Sequence, residues 1–183
     1  LKSLLEHTAR EDLDAAQAAL DQLPAAALLE DDAASAVARL RIYRREPDKA
    51  LEILRAIPRD FLASNWFIGP KAHLTGWAHE VAGRKDAAQI DWRVALFVVE
   101  QRLAATPNDP DLVSWKAELL SVVGERDEAE RILRLYQQLV GVSDTEIDSN
   151  SVDTFLRLGR RDEVIAWLSA QLHAEKRNPK WHA

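Results

Sequence analysis

A short pattern of residues recurs five times along this chain, and it limits the possible folds more than any other feature. In each copy an aspartate is followed two positions later by an alanine or, once, a valine. The copies are Asp14-Ala-Ala16, Asp48-Lys-Ala50, Asp86-Ala-Ala88, Asp127-Glu-Ala129 and Asp162-Glu-Val164, and successive copies lie 34, 38, 41 and 35 residues apart. A recurrence of this length is typical of stacked supersecondary units that share a continuous core.

The residues in front of these copies predict that each copy stands at a turn between two helices. Gly83, Gly124 and Gly159 each precede the aspartate of their copy by three positions. Glycine readily takes the left-handed conformation that ends a helix. The aspartate is expected to accept the free backbone amides at the start of the next helix. Each unit is therefore predicted to be a helix, a turn and a second helix.

Apolar residues follow each copy at helical spacing and predict one buried face on each second helix. These stripes are Ala50, Ile53, Leu54 and Ile57; Ala88, Trp92, Ala95 and Val99; Ala129, Ile132, Leu133 and Tyr136; and Val164, Trp167, Leu168 and Leu172. First helices are predicted over 33–44, 71–82, 112–123 and 152–158. Within the first three of these, Ala38, Gly76 and Ala117 each lie seven positions before the turn residue, which indicates close helix contact.

These features together resemble the tetratricopeptide repeat family. The segment Thr106-Pro-Asn-Asp-Pro-Asp111, before a helix that contains Trp115, is similar to the junction between two such repeats. The resemblance implies an all-α fold: a right-handed α-solenoid of about five antiparallel helix pairs. It implies one domain over 1–183, with units at about 1–24, 31–58, 63–107, 110–141 and 146–176.

The chain also departs from the family pattern. Lys116 stands where the family favours leucine, and the first, second and fifth units lack the usual aromatic residues. The intervals of 38 and 41 residues imply longer helices or connections around the third unit. A HEAT-like or another α-solenoid therefore stays open as an alternative.

The ends of the chain suggest a piece of a longer polypeptide, because it begins with Leu1 and contains no methionine. Residues 69–139 look like the repeat arrays at the C-terminal end of large bacterial signalling proteins. In those proteins a kinase, cyclase or DNA-binding module precedes the array. This resemblance implies a regulatory segment that controls such a module.

In tetratricopeptide proteins the first helices line a concave groove that holds an extended peptide or a partner helix. The residues that this frame places in the groove are Arg39, Tyr43, His73, Trp77, Ser114, Trp115, Glu118, Asn150 and Asp153. Only Arg39 and Asn150 suit the capture of a terminal carboxylate, so the mixture favours an amphipathic or basic segment instead. We therefore expect a non-enzymatic scaffold that binds a protein or peptide partner. Self-association through uncapped ends of the solenoid is a further alternative.

Composition and charge argue against other classes of function. The formal net charge is −6, without the basic stripe that nucleic-acid binding requires. No apolar run is long enough to span a bilayer and no signal peptide is visible, which leads us to expect a cytoplasmic protein without membrane contact. No phosphate loop, nucleophile elbow or catalytic triad is present, so neither catalysis nor a cofactor is expected.

Two segments resemble metal-binding motifs, but each lacks residues that the motif requires. His79-Glu80-Val-Ala-Gly83 begins like a zinc protease motif, but the second histidine is replaced by Gly83. The oxygen-rich run that begins at Asp144 lacks the glycine and the glutamate of a calcium loop, since Ser149 and Phe155 stand there. Trp66 and Phe67 are expected to pack against the long third unit, with an exposed partner-binding patch as the alternative.

Overall fold

The computed structural model describes residues 13–20, 22, 30–64, 67–143, 147–148 and 150–175, and these are mostly helical. The helices are α1 (Leu13–Leu20), α2 (Asp31–Tyr43), α3 (Pro47–Ala56), α4 (Lys71–Val81), α5 (Lys85–Ala105), α6 (Pro110–Val123), α7 (Arg126–Val140), α8 (Val152–Arg157) and α9 (Arg161–Glu175). Two short strands, β1 (Phe61–Ala63) and β2 (Ile68–Pro70), lie between α3 and α4. The prediction of a helical chain is confirmed.

Four of the predicted turns share one backbone conformation. Gly83, Gly124 and Gly159 have positive φ angles of 74°, 90° and 79°, and Arg45 takes the same region at 60°. At each turn the amide of the following residue donates to the carbonyl five residues earlier; the bond from Glu125 to Leu120 measures 2.9 Å. This bond closes the end of a helix and lets the next helix begin within a few residues.

The aspartates of two copies of the pattern, Asp48 and Asp127, do not cap their second helices as predicted. In the described chain α3 and α7 begin at Pro47 and Arg126, and neither has a side-chain hydrogen bond at its N-cap. Asp48 and Asp127 therefore lie at the second helical position, where an acidic side chain still stabilises the positive end of the helix. The spacing correctly predicted that these residues lie at the start of a helix, but the predicted N-cap hydrogen bond is wrong.

The chain divides into two compact units, Leu1–Val98 and Val99–Ala183. In the first unit a core cluster joins α2, α3, β1 and α4; its members are Ala34, Ala38, Leu54, Ile57, Leu62 and Leu74. Helix α4 packs against both α2 and α3, and α2 also packs against α1. The predicted small residue Ala38 is completely buried in this cluster, and Gly76 is buried against Trp92 on α5.

In the second unit α6 and α7 form the tightest helix pair, and α6 also packs against α8. The predicted stripe of α7 is buried in full, and the small residue Ala117 is completely buried. On α9 the stripe prediction is partly wrong. Val164 is buried, but Leu168 is 46% exposed. The side chain of Leu172 lies outside the described part.

The antiparallel hairpin of β1 and β2 was not predicted. Leu62 pairs with Gly69, and Leu62 is fully buried in the core cluster of the first unit. The hydroxyls of Ser35 on α2 and Ser64 beside β1 lie 3.2 Å apart and are both buried. The hairpin therefore closes one side of this core, and it accounts for part of the long interval before the third copy of the pattern.

Candidate functional site

The first unit holds four of the residues predicted to face a groove, on α2 and α4. Arg39 and Tyr43 lie one helical turn apart on α2, and His73 and Trp77 lie one turn apart on α4. We call these four residues the α2–α4 surface. The sequence analysis predicted α2 and α4 to be the first helices of two successive repeats, and in the structure these two helices pack together.

An aromatic contact joins the two helices of this surface. The rings of Tyr43 and Trp77 meet edge to face, with 5.3 Å between their centroids and an interplanar angle of 87°. Such pairs contribute about 0.5–1.5 kcal/mol beyond the area they bury. Trp77 also packs against two core clusters, whereas Tyr43 stays 45% exposed. Trp77 therefore supports the fold, and Tyr43 is the more accessible of the two aromatic rings.

His73 lies beside the hairpin rather than alone on the surface. Its ring stacks on Phe67, with 6.4 Å between the centroids and an angle of 25°. Phe67 is half-buried against the core cluster of the first unit. This packing agrees with the structural role expected for Phe67, while Trp66 lies outside the described residues. The sequence did not predict that Phe67 would support His73, because the hairpin that joins them was not foreseen.

The second unit brings together the remaining predicted residues, on α6 and at the start of α8. The hydroxyl of Ser114 donates to the backbone carbonyl of Asn150 at 3.2 Å. Trp115 and Glu118 on α6 are half-buried, and Asn150 and Asp153 are exposed. We call this group the α6–α8 surface. The helices α6 and α8, which the sequence analysis also predicted to be first helices of two successive repeats, pack together.

Glu118 interacts electrostatically with Asp153 and Arg157, and the pKa of its carboxyl is raised. Burial, and then the negative charge of Asp153, raise the pKa of its carboxyl to about 8, while Arg157 acts in the opposite direction. Near neutral pH the Glu118 carboxyl is therefore expected to keep its proton, and in that form it can donate a hydrogen bond. The sequence placed Glu118 and Asp153 on one surface but gave no sign of this coupling.

A set of hydrogen bonds holds the segment before α8 in place. The phenol of Tyr136 on α7 donates to the Asp148 carboxylate, and the amide of Ser151 donates to the other oxygen of Asp148 at 2.9 Å. Burial, and then the bond to Asp148, raises the pKa of Tyr136 to about 12. Asp148 was not predicted as important, although a buried tyrosine on α7 signals that an acceptor must lie nearby.

The histidine motif on α4 forms an interhelical contact. His79 Nε2 lies 3.6 Å from the Asp91 carboxylate on α5, and burial raises the pKa of Asp91, an effect that His79 opposes. Over the described residues, no group of three or more His, Asp or Glu side chains is arranged to hold a metal ion. Asp144, Glu146 and Ser149 lie outside those residues.

Crossing a bilayer takes a helix that is both long and strongly apolar, and none of the helices within the described ranges meets both conditions.

Comparison with protein-family models found no match to this chain. Searches of curated proteins and of solved structures likewise found no significant match.

Proposed function

We propose that this chain is a non-enzymatic interaction module, a right-handed α-solenoid of the tetratricopeptide kind that binds an extended peptide or a helix of a partner protein. The observation that carries the proposal is that two of the predicted first helices pack together in each compact unit, α2 with α4 and α6 with α8. In both places the residues that the repeat frame predicts to face a partner lie together, as Tyr43 with Trp77 and Ser114 with Asn150.

Contacts at the turns support the stacking of helix pairs. Arg44, in the turn after α2, reaches Asp14 on α1 at 2.5 Å, and Arg84, in the turn after α4, reaches Asp48 on α3. In the second unit Arg126 donates to the carbonyl of Leu158 at the end of α8. Exposed ion pairs each contribute little free energy. In both ion pairs, however, the acceptor is the aspartate of the repeated pattern in the preceding helix pair, which agrees with a stack of similar units.

The chemistry of the two surfaces favours an amphipathic or basic segment as the partner. Tyr43 offers an exposed aromatic edge beside Arg39, and Asp153 offers a negative charge beside the protonated Glu118. An aromatic anchor together with a single charged contact is a common way to hold a short peptide. The second surface suits a lysine or arginine of such a peptide.

A display experiment tests the proposal. The immobilised chain is used to select from a library of random 16-residue peptides, and the dissociation constants of selected peptides are measured by fluorescence anisotropy. We expect enrichment of peptides with aromatic and basic residues. Tyr43→Ala should weaken about tenfold the peptides that bind the α2–α4 surface, and Asp153→Asn those that bind the α6–α8 surface, because each removes a central contact of its own surface. The far-UV circular dichroism spectrum should not change.

The control variant is Glu52→Ala, which alters an exposed side chain on the second helix α3. This variant should bind the selected peptides as tightly as the unaltered chain. Selection of no peptide above background would overturn the proposal. Selection of peptides whose affinity is the same in Tyr43→Ala, Asp153→Asn and Glu52→Ala would also overturn it.

A further inference from the structure

Helix α5 carries a stripe of large apolar side chains that are exposed to solvent. Ile90, Val94 and Phe97 are 64%, 48% and 61% exposed. Their spacing of four and then three residues places them on one face of the helix, opposite the buried face formed by Ala88, Trp92, Ala95 and Val99. Large exposed apolar side chains that lie together, unlike ones scattered singly over a surface, are a feature of interaction sites.

Charged residues flank the stripe in a regular way. Arg93 and Glu100 are both exposed and lie seven residues apart, so they fall on the same flank of α5. Glu100 also makes an ion pair with Lys116 on α6 at 2.9 Å, which fixes the direction of its side chain and leaves nearly half of it accessible. Opposite charges one heptad apart on one flank are self-complementary when two helices run antiparallel.

From this pattern we infer that α5 is the interface of a symmetric dimer, and that its occupant is α5 of a second copy of this chain. In an antiparallel pairing, Val94 of each copy lies opposite Phe97 of the other. Arg93 of each copy then comes within reach of Glu100 of the other, and the two-fold axis produces this contact twice. One arrangement thus covers the apolar stripe and pairs the flanking charges.

The size of the surface predicts the strength of the dimer. The 21 residues of α5 extend over about 30 Å. A single helix pair of this length buries less than the roughly 1,600 Å² of a typical stable interface. The dimer should therefore be weak, with a dissociation constant on the order of micromolar. None of these α5 residues belongs to the α2–α4 or the α6–α8 surface, so the inference does not depend on the proposed peptide binding.

Analytical ultracentrifugation of the full chain, from about 1 to about 300 μM, tests the inference. The unaltered chain should change from monomer to dimer with concentration. The double variant Ile90→Ser and Phe97→Ser should raise the dissociation constant at least about tenfold, because it removes the central apolar contacts. The matched control is Ile165→Ser with Leu168→Ser, which alters exposed apolar residues on α9 and should leave dimerisation unchanged.

Charge variants test the antiparallel arrangement. Arg93→Glu alone and Glu100→Arg alone should each weaken the dimer several-fold, since each sets like charges against one another. An equal mixture of the two variants should restore the affinity, because the mixed dimer again contains two opposite-charge pairs. A monomer at every concentration, a dimer that Ile90→Ser with Phe97→Ser does not weaken, or a mixture no tighter than the separate variants would overturn the inference.

Discussion

The indole of Trp92 on α5 lies against Gly76 on α4 so closely that there is no room for a side chain at position 76. A Cβ atom built on Gly76 would stand 2.4 Å from Nε1 of Trp92 and 2.5 Å from its Cδ1. Both residues are buried. The repeat pattern predicted a small residue at this position and a buried tryptophan on the next helix, and this contact explains both.

Replacement of Gly76 by alanine should destabilise the chain. Alanine favours a helix by about 1 kcal/mol over glycine. The clash with the rigid indole costs about 1–3 kcal/mol, because α4 and α5 must move apart or Trp92 must leave its position. We expect a net loss of about 1 kcal/mol in the free energy of unfolding, measured by urea denaturation.

A double-mutant cycle separates the clash from other effects of this change. In a Trp92→Phe background the smaller ring leaves space, so Gly76→Ala should cost less there than in the unaltered chain, and it should become neutral or stabilising. An equal cost of Gly76→Ala in both backgrounds would show that the indole is not the cause.

The carboxyl of Glu118 should make stability depend on pH. Its pKa is 4.5 in an ordinary environment and about 8 in the folded chain, chiefly through burial and then through Asp153. Between these values the folded chain holds a proton that the unfolded chain has released. The contribution of this group is therefore complete below about pH 4.5 and is lost as the pH rises through about 8.

The variant Glu118→Gln, which is neutral at every pH, should remove most of this dependence. Urea denaturation should find it about as stable as the unaltered chain near pH 4.5 and about 2 kcal/mol more stable near pH 9, less than the whole pKa shift would give because the side chain is partly exposed. Asp153→Asn should reduce the dependence in part, and the exposed control Glu52→Gln should not change it. A curve for Glu118→Gln parallel to that of the unaltered chain would refute this assignment.

Much of the helical pattern followed from local properties of the sequence. Glycine readily takes the positive φ angle that ends a helix, and this preference is local. Gly83, Gly124 and Gly159 could therefore be assigned to turns without knowledge of tertiary contacts, and all three have positive φ angles. The turn at Arg45 was found only because the aspartate that follows matched the other copies. The candidate site residues were predicted from their equivalent positions in successive repeats, so this prediction too used only the repeated pattern.

Features that depend on distant residues could not be predicted in this way. Strands of three residues show too little alternation to be recognised, and β1 is held in place by contacts such as that between Ser35 and Ser64. The raised pKa of Glu118 depends first on its burial and then on Asp153, which is 35 positions away in the sequence. Leu168 was placed on a buried stripe by its spacing, but its burial depends on how much of α9 its neighbours cover.

The hydrogen bond from Tyr136 to Asp148 should stabilise the second unit. Tyr136→Phe leaves the ring in its buried position and removes only the hydroxyl. A hydrogen bond to a charged acceptor contributes about 1.5–3 kcal/mol, and we expect a loss near the lower value because Ser151 still donates to Asp148. Urea denaturation measures the loss. Tyr43→Phe, which removes a hydroxyl from an exposed ring, should change stability by less than about 0.5 kcal/mol.

The start of α6 depends on a single capping side chain. Asp109 accepts hydrogen bonds from the amides of Asp111 at 3.0 Å and Leu112 at 3.2 Å, and Pro110 occupies the first position of the helix. Asp109→Ala leaves these amides without their acceptor, so it should lower the free energy of unfolding by about 1 kcal/mol. Asp109→Asn keeps an acceptor oxygen and should retain most of that stability. If thermal and urea denaturation show equal losses for both variants, the loss stems from the charge of Asp109 near the helix N-terminus rather than from the cap.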